Sequence, residues 1–127
     1  MQHGSLRLKA QLMCGDEIAM GPGKADLLEA IARERSISAA GRALAMSYRR
    51  TWLLVDTMNR CWSEKLVETM PGGGHERGAR VTEAGFAVLA AYRSLEAKID
   101  ASVSKEYLEL SCGLRATPLQ SLRPQAR

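Results

Sequence analysis

The sequence has few of the residues that build metal centres or nucleophilic catalytic sites. It holds only two histidines, His3 and His75, and neither lies beside a plausible nucleophile. Its three cysteines, Cys14, Cys61 and Cys112, are widely spaced and form no CxxC pair. No other metal-ligand spacing occurs. We therefore expect neither an enzyme nor a metal-binding protein, and we interpret the cysteines as reduced, partly buried thiols.

Long apolar segments are absent as well. No apolar run approaches the ~20 residues that a membrane-spanning helix needs. The first eleven residues lack the apolar core of a signal peptide. We therefore expect a cytoplasmic protein without a membrane partner. With 127 residues, of which 46% are hydrophobic and 25% charged, the chain has the composition of one globular domain.

Positive charge is concentrated in one part of the chain. The net charge is +4, and residues 33–50 alone hold five arginines against one glutamate, which is also +4. Residues 82–110 hold three basic and five acidic side chains, and residues 111–127 hold three arginines and no acid. A solvent-exposed helix face gives such a run, and so does a phosphate-binding surface. Charge alone leaves both explanations open.

The N-terminal part predicts one strand followed by a break. Residues 5–14 alternate with the period of a half-buried strand, and the apolar positions are Leu6, Leu8, Ala10, Leu12 and Cys14. Glycines and Pro22 then interrupt the pattern. The GPGK run resembles a phosphate loop only superficially, because the upstream glycine is missing and Ala25 stands where Ser or Thr would follow the lysine. We interpret this run as the approach to a helix.

Three helical patterns come next. Residues 25–35 carry the apolar stripe Leu27, Leu28 and Ile31. Ser36 and Ser38 can cap a second helix, whose small residues at positions 39–41 and 43 let another helix approach closely. Ser47 can cap a third helix, with Trp52 at the edge of a buried side formed by Thr51, Val55 and Met58.

The remaining sequence predicts a hairpin and a long helix. Residues 66–69 and 79–82 are short and β-prone, and a loop with a proline and four glycines separates them. Thr82 can cap a last helix, with Glu83 in the first turn where the helix dipole favours an acid. This helix has more apolar positions than a small core needs, so we expect it to form a homodimer through Phe86, Leu89, Tyr92, Leu95 and Ile99. We assign residues 1–110 to one domain and residues 111–127 to a flexible basic tail.

The order of these elements predicts a mainly α fold with a small β-hairpin, arranged as a winged helix-turn-helix with a long C-terminal dimerisation helix. The helix after Ser47 would expose Tyr48, Arg49 and Arg50, and the first residues of such a helix reach base edges in the major groove. Arginine can donate to guanine O6 and N7 together. Each piece alone has a simpler explanation, as an exposed helix start or a flexible hairpin tip. Their order along one chain favours DNA binding.

A family resemblance supports the same interpretation. The runs ADLLEAI, SISAAGRALAMSYRRTWLLVDTMNR, LVET, GGG and GARVTEAG resemble the N-terminal domain of ModE-type molybdate-responsive transcriptional regulators, which are related to the DNA-binding domains of LysR-type regulators. The resemblance covers about residues 24–95. It implies a two-fold dimer through the last helix and DNA contacts at the third helix and the wing. Our full set of predicted DNA contacts is Ser36, Ser38, Ser47, Tyr48, Arg49, Arg50, Leu53, Gly73, Gly74, His75, Arg77 and Arg80.

The sequence also departs from that family. Its regulators carry molybdate-binding domains after this helix, whereas this sequence ends at Arg127 without a Ser-Ala-Arg-Asn-type oxyanion motif. We therefore expect no cofactor in this chain. Three alternatives stay open: a separate partner senses molybdate, the protein binds DNA without molybdate, or the sequence is a piece of a longer protein.

Together these observations predict a dimeric, sequence-specific regulator that binds a palindromic double-stranded DNA site, in genes of molybdenum transport or metabolism. The alternative is a winged-helix module whose same face binds a protein and does not bind DNA.

Overall fold

The computed structural model describes residues 2–71 and 78–122, and this part of the chain is mainly helical with small antiparallel sheets. The helices are α1 (Pro22–Glu34), α2 (Ile37–Ala43), α3 (Tyr48–Cys61), α4 (Glu83–Ser102) and α5 (Ser104–Leu110). The strand pairs are β1 (Gln2–His3) with β2 (Leu6–Arg7), β3 (Leu12–Cys14) with β4 (Glu17–Met20), and β5 (Val67–Met70) with β6 (Gly78–Val81). No helix within the described ranges combines the length and apolarity needed to cross a bilayer.

The N-terminal prediction of one continuous strand is wrong. Residues 8–11 are not in a strand, and the carbonyl of Ala10 accepts a hydrogen bond from the Tyr92 hydroxyl at 2.8 Å. Leu12 and Cys14 are exposed, not half-buried. The segment that we took for a break contains β4, which pairs with β3 across a two-residue turn. Gly15 has φ +59° in this turn, a conformation that tight hairpins require and that glycine adopts without strain.

The predicted helices are confirmed, and so are the predicted caps Ser36, Ser47 and Thr82. The GPGK run is the helix approach that we expected, with Pro22 at the first helical position, where the missing N–H costs nothing. Ser38 lies inside α2 and does not cap it. The side-chain oxygens that accept from the first turn of a helix are those of Ser36 (from Ala39 N–H, 3.1 Å), Ser47 (from Arg50 N–H, 3.1 Å) and Thr82 (from Gly85 N–H, 3.0 Å).

One core joins α1, α3, the β5–β6 hairpin and α4. The predicted stripes are buried in it: Leu27, Leu28 and Ile31 from α1, and Thr51, Val55 and Met58 from α3. Leu66, Val67, Ala79 and Val81 contribute the hairpin side. Trp52 is partly buried at the edge, as predicted. Helices α1 and α3 and the β5–β6 hairpin are therefore held together by the same set of apolar contacts.

A charged network connects α1 to α4. The Arg93 guanidinium on α4 donates to Asp26 at 2.7 Å and to Glu29 at 2.8 and 3.1 Å, both on α1. It also donates to Glu96 at 2.8 Å, one turn along α4. Because the Arg93 guanidinium donates to all three carboxylates, the ionic contact between the two helices depends on this one side chain.

Candidate functional site

The first turn of α3 is the most exposed part of this helix. Tyr48 is 67% exposed and Leu53 54% exposed, and both Arg49 and Arg50 are exposed. The Tyr48 ring lies 6.1 Å from the Trp52 ring, at an interplanar angle of 59°. The structure thus brings five predicted DNA contacts, Ser47, Tyr48, Arg49, Arg50 and Leu53, to one end of one helix.

The packing of α2 fixes the direction of α3. Gly41 in α2 is buried directly against Thr51, and a Cβ atom at position 41 would overlap the Thr51 side chain. The Thr51 hydroxyl donates to the Ser47 carbonyl at 2.7 Å, so it needs no partner from outside the helix. The connecting turn contains Ala45 at φ +57°, an uncommon conformation for a residue with a side chain. The close approach predicted from the small residues of α2 is confirmed at Gly41.

Asn59, near the end of α3, holds the β5–β6 hairpin. Its side-chain oxygen accepts from the backbone N–H groups of Leu66 and Val67 at 2.9 and 3.1 Å. Its side-chain nitrogen donates to the Val67 carbonyl at 3.0 Å. The side-chain amide therefore makes the hydrogen bonds that a neighbouring strand would make with the start of β5. Our sequence analysis missed this residue, although an asparagine in the last turn of a helix is a signal for a side-chain contact with the following backbone.

Among the predicted wing residues, the structure describes Arg80. Gly73, Gly74, His75 and Arg77 lie outside the described residues. Arg80 lies on β6 and is exposed, but its guanidinium donates to Glu68 on β5 at 2.9 and 3.0 Å. Such an exposed pair is weak, so the arginine can exchange its carboxylate for another anion at a cost of roughly 0.2–1 kcal/mol. Ser36 and Ser38 are partly buried at the start of α2, and the Ser36 hydroxyl is occupied as a cap.

The residues predicted for the dimer interface fall into two groups. Leu89 and Tyr92 are buried in the protein's own core, so they are not free to form an interface. Phe86 and Leu95 are each 50% exposed, and Ile99 is partly buried. Phe86 also lines an open apolar cavity of about 460 Å³ with Ile31, Met70 and Val81. The accessible part of the prediction thus lies on two flanks of α4: Phe86 on one, and Leu95 with Ile99 on the other, because positions nine residues apart are about 180° apart around a helix.

The end of α3 is tied to the β3–β4 hairpin by charge. Arg60 donates to both carboxylate oxygens of Glu17 at 2.6 and 2.7 Å and to Asp56 at 2.9 Å. These bonds hold the pKa of the Glu17 carboxyl below its ordinary value. The two ends of α3 thus differ: the arginines of the first turn face solvent, and the arginine of the last turn is neutralised. In the part of the chain that the structure describes, no group of three or more His, Cys, Asp or Glu side chains could hold a metal ion.

No protein-family model matches the chain. It is similar to curated proteins that carry molybdenum in their names. It is 44% identical over 77 residues to the molybdenum-pterin-binding protein MopA of Rhodobacter capsulatus. These 77 residues are 61% of this chain and 29% of MopA. It is 38% identical over 104 residues to MopB of the same organism (82% and 37%). The molybdenum transport protein ModE of Azotobacter vinelandii is 36% identical over 87 residues (68% and 32%).

The chain spans about a third of the length of these curated relatives. The match to MopB spans 104 of the 127 residues, so it includes α2 and α3. These similarities suggest the ModE/Mop family.

Proposed function

We propose that this chain is a sequence-specific DNA-binding regulator of genes for molybdenum transport or metabolism. In this proposal α2 and α3 form a helix-turn-helix, α3 is the recognition helix, and the β5–β6 hairpin is the wing of a winged helix. The chain acts as a homodimer on a palindromic site, in the cytoplasm and without catalysis. The molybdenum connection rests on the names of its relatives, the MopA, MopB and ModE proteins.

The observation that carries the proposal is the polarity of α3. Its first turn exposes Tyr48, Arg49 and Arg50, whereas Thr51 and Val55 bury the other side. The Arg49 and Arg50 guanidinium groups have no carboxylate partner within the described residues, so no ion pair must break when they meet an anion. A helix presented this way can place its N-terminal residues in a major groove, with arginine on guanine and the Ser47 region near phosphate.

The hairpin supports the same face. The Asn59 amide bonds link β5 to α3, so the wing is set at a defined position relative to the recognition helix. Arg80 lies on β6 in an exposed pair with Glu68, from which phosphate could displace the carboxylate. Such a backbone contact would add affinity without sequence preference.

Fluorescence anisotropy with labelled duplex DNA tests the proposal. The binding site is first selected from random duplexes, and a palindrome with half-sites about one helical turn apart is expected. Arg49→Ala or Arg50→Ala should then weaken the selected site by about 1–3 kcal/mol. Log affinity should fall steeply with log salt, because phosphate contacts release counterions.

Arg60→Ala is the matched control. It removes the same charge from the same helix, but Arg60 is held by Glu17 and Asp56 at the far end. We expect it to leave affinity nearly unchanged. Equal losses for Arg49→Ala, Arg50→Ala and Arg60→Ala would mean that only net charge matters. An absence of duplex binding at low salt would favour the alternative, a winged-helix module that binds protein through the same face.

A further inference from the structure

Cys14 and Cys61 are distant in the sequence but meet in the fold. Cys14 ends β3 and is the cross-strand partner of Glu17 in the β3–β4 hairpin. Cys61 is the last residue of α3. The ion pair of Glu17 and Arg60 places the two cysteines near each other, because Glu17 lies opposite Cys14 in the hairpin and Arg60 directly precedes Cys61. Both cysteines are free.

Flanking bonds on both sides of Cys61 hold the two segments together. Arg60, the preceding residue, donates to both carboxylate oxygens of Glu17. Trp62, the following residue, donates through its indole N–H to the carbonyl of Ala19 at 3.1 Å. Both acceptors lie on β4, in the hairpin that carries Cys14. The fold therefore fixes the relative position of the thiols from two independent points.

The two thiols differ in their surroundings. Cys14 is exposed, so an oxidant can reach it, whereas Cys61 is partly buried. Burial and the contact with Cys14 raise the pKa of the Cys61 thiol, which makes it the poorer first nucleophile. Burial lowers the pKa of the Lys24 ammonium, and the negative charge of a Cys61 thiolate raises it again. The two charged groups therefore attract each other. A nearby ammonium stabilises the thiolate when Cys61 does react.

We propose that Cys14 and Cys61 form a reversible dithiol–disulfide site whose oxidant is a hydroperoxide. The Cys14 thiolate attacks a peroxide oxygen, the O–O bond breaks, and the departing alkoxide takes up a proton as an alcohol. The Cys61 thiolate then attacks the Cys14 sulfenic sulfur, the S–O bond breaks, and the departing hydroxide takes up the Cys61 proton as water. The two thiols lose two electrons together, and the hydroperoxide is reduced to alcohol and water.

The site does not depend on DNA binding, and neither does its test. The chain carrying Cys112→Ser keeps Cys14 and Cys61 as its only thiols. It is treated with equimolar hydrogen peroxide, blocked with an alkylating agent and digested with trypsin. We expect residues 10–24 to be linked to residues 61–65, at the mass of the two peptides less two hydrogens, and dithiothreitol should release them. The link should form at least about tenfold faster in the native chain than in guanidinium chloride, since the fold holds the thiols adjacent.

Two further variants identify the roles of the thiols. Cys61→Ser should leave Cys14 as a sulfenic acid that dimedone traps, whereas Cys14→Ser should react slowly. Cys61→Ala replaces Cys61→Ser if circular dichroism shows loss of helix. Equal dimedone trapping with and without Cys61, links mainly between two chains, or equal rates in native and denatured protein would each overturn the proposal.

Discussion

Gly41 on α2 and Thr51 on α3 are packed so closely that the glycine has no room for a side chain. A Cβ atom at position 41 would overlap the hydroxyl oxygen of Thr51 and press on its Cβ and methyl group. Thr51 is fully buried and β-branched, and its hydroxyl is bonded to the Ser47 carbonyl, so it cannot rotate away freely. The angle between the two helices thus depends on the absence of one methyl group.

We expect Gly41→Ala to destabilise the protein by about 1–3 kcal/mol, because overpacking a tight contact costs that much. The better helix propensity of alanine, worth up to ~1 kcal/mol, does not offset it. Urea denaturation followed by circular dichroism measures the change. Gly23→Ala is the control, since Gly23 is exposed in the first turn of α1 with no atom within 4 Å of a new Cβ. An equally stable Gly41→Ala protein would show that α2 and α3 can separate without cost.

A second prediction concerns the three hydrogen bonds of Asn59. Asn59→Ala should cost about 1–3 kcal/mol, because the N–H groups of Leu66 and Val67 lose a buried acceptor. Amide hydrogen exchange should accelerate at these two positions and across β5–β6, while α1 changes little. Thr57→Ala, which removes only a bond from an exposed hydroxyl to its own helix, is the control. Unchanged exchange at Leu66 and Val67 would show that the amide does not hold the hairpin.

A third prediction is the acid dependence of stability at the α1–α4 contact. The hydrogen bond from Arg93 lowers the pKa of Glu29 below its ordinary 4.5. A carboxyl with a lowered folded pKa stabilises the fold above the unfolded value and loses that contribution as pH falls through the folded one. Glu29→Gln should therefore lower the unfolding free energy by roughly 0.2–1 kcal/mol at pH 7, as expected for a partly exposed pair. The difference should begin to shrink as pH falls below 4.5 and should vanish once pH lies below the lowered pKa of the folded protein.

Urea denaturation at a series of pH values checks this difference. Glu64→Gln is the control, because Glu64 is exposed and has no ion pair with another described residue. Glu17, whose pKa is also lowered, adds to the acid dependence of both proteins and so cancels in the comparison. A Glu29→Gln difference that acidification did not reduce would point to lost packing instead.

A fourth prediction places the dimer on α4. Leu95→Asp together with Ile99→Asp should give monomers, because a charge buried in an apolar interface without a partner is costly. Leu95 is half exposed and Ile99 only partly buried, so the two changes should leave the folded protomer intact. Light scattering gives the mass. Leu108→Asp on α5, also at an exposed leucine, is the control. An unaltered mass after both changes would move the interface elsewhere.

The last prediction is that this chain alone does not bind molybdate. An oxyanion site needs several converging N–H donors or a free helix start in a sheltered pocket. Side chains of Ser36, Ser47 and Thr82 already cap three of the described helices. Calorimetry with molybdate, with sulfate as the control anion, is the measurement. Selective micromolar binding would contradict this expectation and direct attention first to glycines 72–74.

The local features of this fold, the β5–β6 hairpin and the close approach at Gly41 could be predicted from sequence, whereas the contacts of the N-terminal segment and of α4 could not. Caps at Ser36, Ser47 and Thr82 and the buried side of α3 follow from residue type and the helical period. The N-terminal segment could not be assigned correctly, because a period of two does not distinguish one strand from two short ones. In the structure, Ala10 lies between the two short strands and bonds to Tyr92, 82 residues away. Leu89 and Tyr92 were misplaced for the same reason, since an apolar stripe does not say which of two surfaces covers it.

The amide of Asn59 has a consequence for how the protein could be controlled. Because it joins β5 to the last turn of α3, the β5–β6 hairpin cannot pivot against that helix without breaking three hydrogen bonds. The helix and the hairpin should travel as one rigid body. In the proposed regulator, an effector would then change operator affinity by altering the spacing between the two rigid bodies of a dimer. It would not act by changing the orientation of the wing relative to α3 within one protomer.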